Sequence, residues 1–199
     1  DWSSDVCSSD LKKAGSVTIS HLRFSRRPIR APYLIQRPTL VACHQWDFVG
    51  RFPLADSLVE GGILLINSPF DPATSWQRLP AALRRTIRAR SLQVWLLNAY
   101  RIAREVGMGP HINTVMQVGF FALSDMLPRR EALEAIRADI RHSYARKGEA
   151  VVAMNLRAVD ASLDQLQPLN WRELQDPVGD LEVAAPPAAA AEAPTFVRS

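Results

Sequence analysis

Gly61-Gly62-Ile63-Leu64-Leu65-Ile66-Asn67-Ser68-Pro69 decides the fold class. Two glycines punctuate, four consecutive aliphatic residues follow, and two short polar residues and a proline close the run. Four residues are too few for a helix, and an unbroken apolar run has no polar face. Such a strand must be covered on both sides, as in a parallel sheet with a helix layer on each face. A second run of this kind, Val94-Trp95-Leu96-Leu97, ends in Asn98, and a shorter one, Leu40-Val41-Ala42-Cys43, ends in His44 and Gln45.

Working outward, residues 72–91 have helical character, with Pro80 restarting the helix as an N1 proline. Residues 99–106 form a short helix stopped by Gly107 and Gly109-Pro110. Residues 46–58 hold a short helix interrupted near Pro53. Residues 112–127 are apolar almost all round and belong deep in the core. Residues 130–147 carry Leu133, Ile136, Ile140 and Tyr144 on one stripe. Residues 149–166 do the same with Val152, Leu156, Val159, Leu163 and Leu166. Both read as amphipathic surface helices, separated by Gly148. Upstream, residues 16–24 (SVTISHLRF) alternate as a strand does, and residues 26–38 hold three prolines and run extended. The expected fold is α/β: a three-layer, mostly parallel sheet with helices on both faces, then C-terminal helices and a flexible tail.

The periodic pattern stops at Pro168. Residues 184–194 contain seven Ala and three Pro, so residues 168–199 are expected to be an Ala/Pro-rich interdomain linker. At the other end, residues 1–11 (DWSSDVCSSDL) back-translate to a common sequencing adapter read in frame. They are expected to be a library artefact joined to a domain truncated before Lys12 and spanning residues 12–167. The formal charge of the whole chain is +4. Without Asp1, Asp5 and Asp10 it is +7, and Cys43 is then the sole cysteine.

Of the 199 residues, 47% are hydrophobic and 22% charged, which suits one globular domain. No apolar run approaches the roughly 18–20 residues of a membrane span. Two cysteines exclude a disulfide scaffold and a four-cysteine metal site within this chain, and the expected setting is cytoplasmic. The basic residues, mostly Arg, are spread along helices without an aromatic array. They are read as solvated faces and not as a nucleic-acid footprint; a site for an anionic small molecule is a third reading.

Ligands of open parallel sheets bind beyond the carboxyl ends of the strands. Here those ends carry Cys43-His44-Gln45, Asn67-Ser68 and Asn98. These residues either line a polar crevice or cap helices and close loops. His21, His44, His111 and His142 have no metal-ligand spacing. Cys43 and His44 are adjacent on a strand and point to opposite faces, so they make a poor nucleophile pair. Gly107-Met108-Gly109 follows a helix and lacks the spacing of a phosphate loop. Asp160 and Asp164 read as surface charge. Lys12-Lys13-Ala14-Gly15 is either a basic turn or a phosphate contact.

Seven blocks together resemble the gamma-type domain of the pyruvate:ferredoxin (flavodoxin) oxidoreductases, a branch of the 2-oxoacid oxidoreductases. They are S-V-T-I-S-H-L-R-F (16–24), P-I-R-x-x-Y-L-I (28–35), V-A-C-H-Q (41–45), G-G-x-L-L-I-N-S-P (61–69), A-Y-R-I-A-R-E-x-G-M-G (99–109), I-N-T-V-M-Q-x-x-F-F-A-L (112–123) and S-Y-x-x-K-G (143–148). Thr195-Phe196-Val197-Arg198 resembles the start of the family's next domain. The resemblance implies a fragment of an enzyme converting pyruvate and coenzyme A to acetyl-coenzyme A and carbon dioxide. Thiamine diphosphate with magnesium and 4Fe–4S clusters would be held by other domains and not by this fragment. Ferredoxin or flavodoxin would take the electrons, and the full enzyme would be a homodimer. The domain would be structural and close to coenzyme A, with Lys12, Lys13, Arg30, Asn67, Asn98 and Asn113 as the residues for its phosphates and polar groups. No catalytic or metal-binding residue is expected in the fragment itself. A purely structural docking module is the rival reading. The same domain of an indolepyruvate or 2-oxoglutarate oxidoreductase is the third.

Overall fold

The computed structural model describes residues 3–9, 19–25, 35–124 and 128–177. Six strands appear among them: β1 (Ser3–Ser9), β2 (Ile19–Ser25), β3 (Leu40–Cys43), β4 (Ile63–Asn67), β5 (Gln93–Leu97) and β6 (Gln167–Leu169). Six α-helices accompany them: α1 (Pro72–Arg78), α2 (Ala81–Ala89), α3 (Ala99–Glu105), α4 (Asn113–Leu123), α5 (Arg129–Tyr144) and α6 (Glu149–Gln165). The main sheet has the order β3-β4-β5-β6; the first three strands are parallel and β6 is antiparallel.

The aliphatic runs do what their two-sided character requires. Leu64, Ile66, Val94 and Leu96 face one side, where Trp76 and Leu79 of the α1 region and Leu83 and Ile87 of α2 cover them. Leu65 and Leu97 face the other side, under Ile102 and Ala103 of α3, Val115 and Met116 of α4 and Ala158 of α6. Helices therefore cover both faces of a mostly parallel sheet. The helix α5 forms an outer layer, packing Leu133, Ile136 and Ile140 against Val118 of α4 and Val159 of α6. The helix α6 consequently buries two sides, and the small or polar Asn155, Ala158 and Ser162 allow its close approach. Its amphipathic pattern pointed to a surface helix with a single apolar stripe.

Local signals set the boundaries. Asp71 caps α1, its Oδ1 accepting from the Thr74 amide at 2.9 Å, with Pro72 at the first helical position. These hydrogen bonds hold the exposed Asp71 carboxyl below its ordinary pKa. Pro80 sits at the N-cap of α2, one position before the expected one. The end of α3 is a Schellman motif. Gly107 takes φ +89°, its amide bonds to Arg104 O at 3.1 Å, and the Met108 amide bonds to Ala103 O at 2.7 Å. Residues 46–58 form only a short 3₁₀ turn, Trp46–Phe48, followed by turns.

Two segments depart from the sequence reading. Within the span expected to be a linker, Pro168 and Leu169 belong to β6, which adds to the free edge of β5, and Trp171 is buried. The three residues of β6 carry no periodic signal, and an edge position tolerates Pro168. Residues 178–199 of that expected linker lie outside the described residues. At the N-terminus, β1 lies within the segment read as a library artefact, yet it pairs antiparallel with β2, placing Val6 opposite Leu22. The β2 strand thus belongs to a separate two-stranded sheet and not to the parallel one. Among the described residues, no helix is long and apolar enough to cross a membrane.

Candidate functional site

The carboxyl ends of β3, β4 and β5 converge on Asn67. This residue is 2% exposed. Its Nδ2 donates to His44 O at 2.8 Å, and its Oδ1 accepts from the Ala99 amide at 2.9 Å. One side chain thereby ties the loop after β3 to the first turn of α3. The Ser68 amide bonds to Leu97 O at 3.1 Å, linking the ends of β4 and β5. The Ser68 hydroxyl lies 2.7 Å from that of Ser75 in α1, and the Phe70 amide donates to it at 3.1 Å. Asn98 caps α3, its Oδ1 accepting from the Arg101 amide at 3.0 Å. The three polar strand ends are brought together as expected. The side chains of Asn67, Ser68 and Asn98 are engaged in closing loops and capping helices.

Cys43 is buried, and its thiol donates to Gln45 O at 3.1 Å. Burial pushes the thiol pKa up, so the thiolate is disfavoured at neutral pH. Partial desolvation lowers the pKa of His44, whose side chain is otherwise exposed. His21 accepts from the Ile35 amide at 3.3 Å through Nδ1. His111 is exposed in the loop before α4, and His142 is exposed on α5. Asp160 pairs with Arg137 of α5 at 2.5 Å. Among the described residues, no three His, Cys, Asp or Glu side chains gather where a metal ion or cluster would sit.

Asn113 is exposed at the first position of α4. Lys12, Lys13 and Arg30 lie outside the described residues. A shallow depression of about 410 Å³ lies elsewhere, between the end of α5 and the start of α6, with Arg141, Glu149 and Leu156 among its walls. Sequence reasoning missed one polar cluster altogether. Arg84, 3% exposed on the buried side of α2, faces Asp176, which is ninety-two positions away in sequence. Only the arginine on the apolar side of α2 hinted at it.

The family profile described as "Pyruvate ferredoxin/flavodoxin oxidoreductase" matches residues 7–165. A pyruvate-flavodoxin oxidoreductase of Trichormus variabilis is 51% identical over 168 residues, 84% of this chain and 14% of that protein. The pyruvate:ferredoxin oxidoreductase of Moorella thermoacetica is 40% identical over 171 residues, 84% of this chain and 15% of that protein. The chain therefore spans about a seventh of the length of these relatives. Among solved structures, the pyruvate oxidoreductase subunit PORC of Thermotoga maritima superposes with a TM-score of 0.63 at 17% identity. It covers 84% of this chain and 82% of that one, a likeness of fold.

Proposed function

The chain belongs to the pyruvate ferredoxin/flavodoxin oxidoreductase family, and we propose that it is one domain of a thiamine diphosphate-dependent, iron–sulfur pyruvate oxidoreductase. The observation that carries this reading is the 51% identity to a pyruvate-flavodoxin oxidoreductase over most of this chain and a seventh of that protein. The complete enzyme would take pyruvate and coenzyme A to acetyl-coenzyme A and carbon dioxide and pass two electrons to ferredoxin or flavodoxin. Thiamine diphosphate, when bound, supplies the decarboxylation chemistry, and the clusters carry the electrons. The described residues offer no cluster of ligands for a metal, and Cys43 is buried and bonded within the chain. In this reading these groups belong to the rest of the polypeptide, as the family resemblance implies.

The role of this domain is architectural and close to coenzyme A. Asn67 and Asn98 serve the architecture, since their side-chain oxygens cap or bridge backbone amides. That leaves the exposed Asn113, with Lys12, Lys13 and Arg30, as the groups for a phosphate-bearing ligand. The engagement of Asn67 also favours the rival docking-module reading, in which none of these residues meets a ligand. A chimera tests the activity itself: residues 12–177 replace the matching segment of the Trichormus variabilis enzyme. Retained pyruvate- and coenzyme A-dependent reduction of flavodoxin is expected. A chimera that assembles with its thiamine and clusters yet does not turn over pyruvate would refute the assignment.

A further inference from the structure

The helices α5 and α6 meet at an exposed corner. The helix α5 ends at Tyr144, residues 145–147 make a 3₁₀ turn, and Gly148, at φ +96°, reverses the chain into α6. Ile136, Ile140 and Val159 form the core between the two helices, and Val152 and Leu156 sit at its margin, only partly buried. Together with Ala145 and Ala153 they give the depression of about 410 Å³ its apolar walls, and Arg141 and Glu149 complete the lining.

The corner is also basic. Arg141, Arg146, Lys147 and Arg157 are exposed. Further back on α5 the arginines are matched by acids: Arg130 Nε lies 2.9 Å from Glu134 Oε1, and Arg137 Nη2 lies 2.5 Å from Asp160 Oδ1. Among the described residues, no carboxylate pairs with Arg141, Arg146, Lys147 or Arg157. Lys147 Nζ instead lies 5.2 Å from the Tyr144 ring centroid. Glu149 is the one acid among the lining residues.

Interfaces combine an apolar centre with a polar rim, and matched charges select the partner. Here the rim carries mostly one sign of charge, so its complement is an aliphatic side chain flanked by carboxylates. The family match includes this corner and leaves most of the length of the relatives uncovered. We propose, on the reading of this chain as one domain of a longer enzyme, that the corner seats an acidic segment from elsewhere in the complete polypeptide. One aliphatic side chain of that segment enters the depression, and its carboxylates meet Arg141, Arg146, Lys147 and Arg157. An exposed ion pair contributes little in water. The apolar contact therefore supplies the seat, and the cations choose and orient its occupant.

Lys147 is the only lysine among the described residues, so acetylation by an amine-reactive ester reports on the corner. Its rate is measured by peptide mass spectrometry in the full chain and in the chimera that carries residues 12–177 in the Trichormus variabilis enzyme. A rate lower by about fivefold or more is expected in the chimera, which corresponds to about four-fifths of the molecules being covered. Two changes in the chimera should return it to within about twofold of the full chain. They are Ala153→Trp, which fills the depression, and Arg141→Gln with Arg146→Gln, which removes partners of the carboxylates. Equal rates in the full chain and in a chimera that turns over pyruvate would overturn the seat and leave the family role intact. A protected Lys147 in an assembled chimera without turnover would do the reverse. Protection that survives both changes would overturn this mode of docking. A rate that falls in the full chain as its concentration rises would give the corner to a second copy and also overturn it. The full chain alone supplies a second measurement. A peptide of four acidic residues around one leucine should slow the reaction at millimolar concentration. The same peptide with serine for leucine should be weaker by about fivefold or more. No effect, or equal effects of the two peptides, would refute the apolar seat.

Discussion

At Asn67 one buried amide uses its donor on a carbonyl and its acceptor on an amide, each from a different strand-end loop. Leaving a buried polar group unpaired costs about 1–3 kcal/mol. Asn67→Ala strands the His44 carbonyl and the Ala99 amide together, so a loss of about 2–4 kcal/mol is expected. In a domain of this size that lowers the thermal midpoint by roughly 5–15 °C. Calorimetry or circular dichroism melting checks it. Asn67→Asp should be nearly as harmful, because it keeps the bond to Ala99 and turns a second acceptor toward the His44 carbonyl. A variant that melted normally, with weakened coenzyme A use in the complete enzyme, would make Asn67 a ligand residue instead. The sequence made this position conspicuous, since a short polar residue ends an aliphatic strand. It could not reveal the partners, which lie twenty-three residues before it and thirty-two after it. Arg84 is the harder case: its acidic neighbour arrives from a stretch with no pattern of its own.

Among the elements, β4 and β5 were legible because an apolar run on both faces has one common solution, and they set the fold class. The helices α1, α2, α3 and α5 fall within a few residues of their expected bounds, since caps and periodicity are local. The strand β6 was not legible: its three residues, one a proline, become a strand only because β5 offers a free edge. The alternation in β2 announced a strand but not its partner, and that partner is β1. The helix α4 rests on the sheet through Gly119. A Cβ built there would lie 3.0 Å from Leu97 Cδ2 and 3.1 Å from Leu65 Cδ2. Gly119→Val should therefore lift α4 from the sheet and cost about 1–3 kcal/mol or more, as overpacking does. Gly119→Ala meets only the movable ends of two leucines and gains helix propensity of about 1 kcal/mol. Its midpoint should fall by less than half as much. Equal midpoints for valine, alanine and wild type in chemical denaturation would show that α4 stands further from the sheet than this geometry allows.

For the whole molecule, the chain matches about a seventh of the length of its relatives, and Asn67, Ser68 and Asn98 spend their strand-end side chains on their own loops. In the proposed reading, a direct contribution to coenzyme A comes from groups outside that closure. Lys12 and Lys13 fall between β1 and β2 in the chain, in a domain with a net positive charge. The family resemblance sets them just ahead of the strand that precedes the parallel sheet. Lysine meets a phosphate as a point charge, and a charged hydrogen bond contributes about 1.5–3 kcal/mol. Replacing both in the complete enzyme, as Lys12→Ala with Lys13→Ala, should raise the coenzyme A KM by roughly 10- to 100-fold. The pyruvate KM should stay within about twofold, because decarboxylation is assigned to the rest of the polypeptide. The effect should shrink between low and high salt if water reaches the pair, since screening weakens exposed charges over about 10 Å at 0.1 M. Steady-state kinetics with coenzyme A varied at saturating pyruvate, and the reverse, separate the two constants. An unchanged coenzyme A KM in a variant that assembles normally would mean that the domain holds its neighbours in place and leaves the ligand to them.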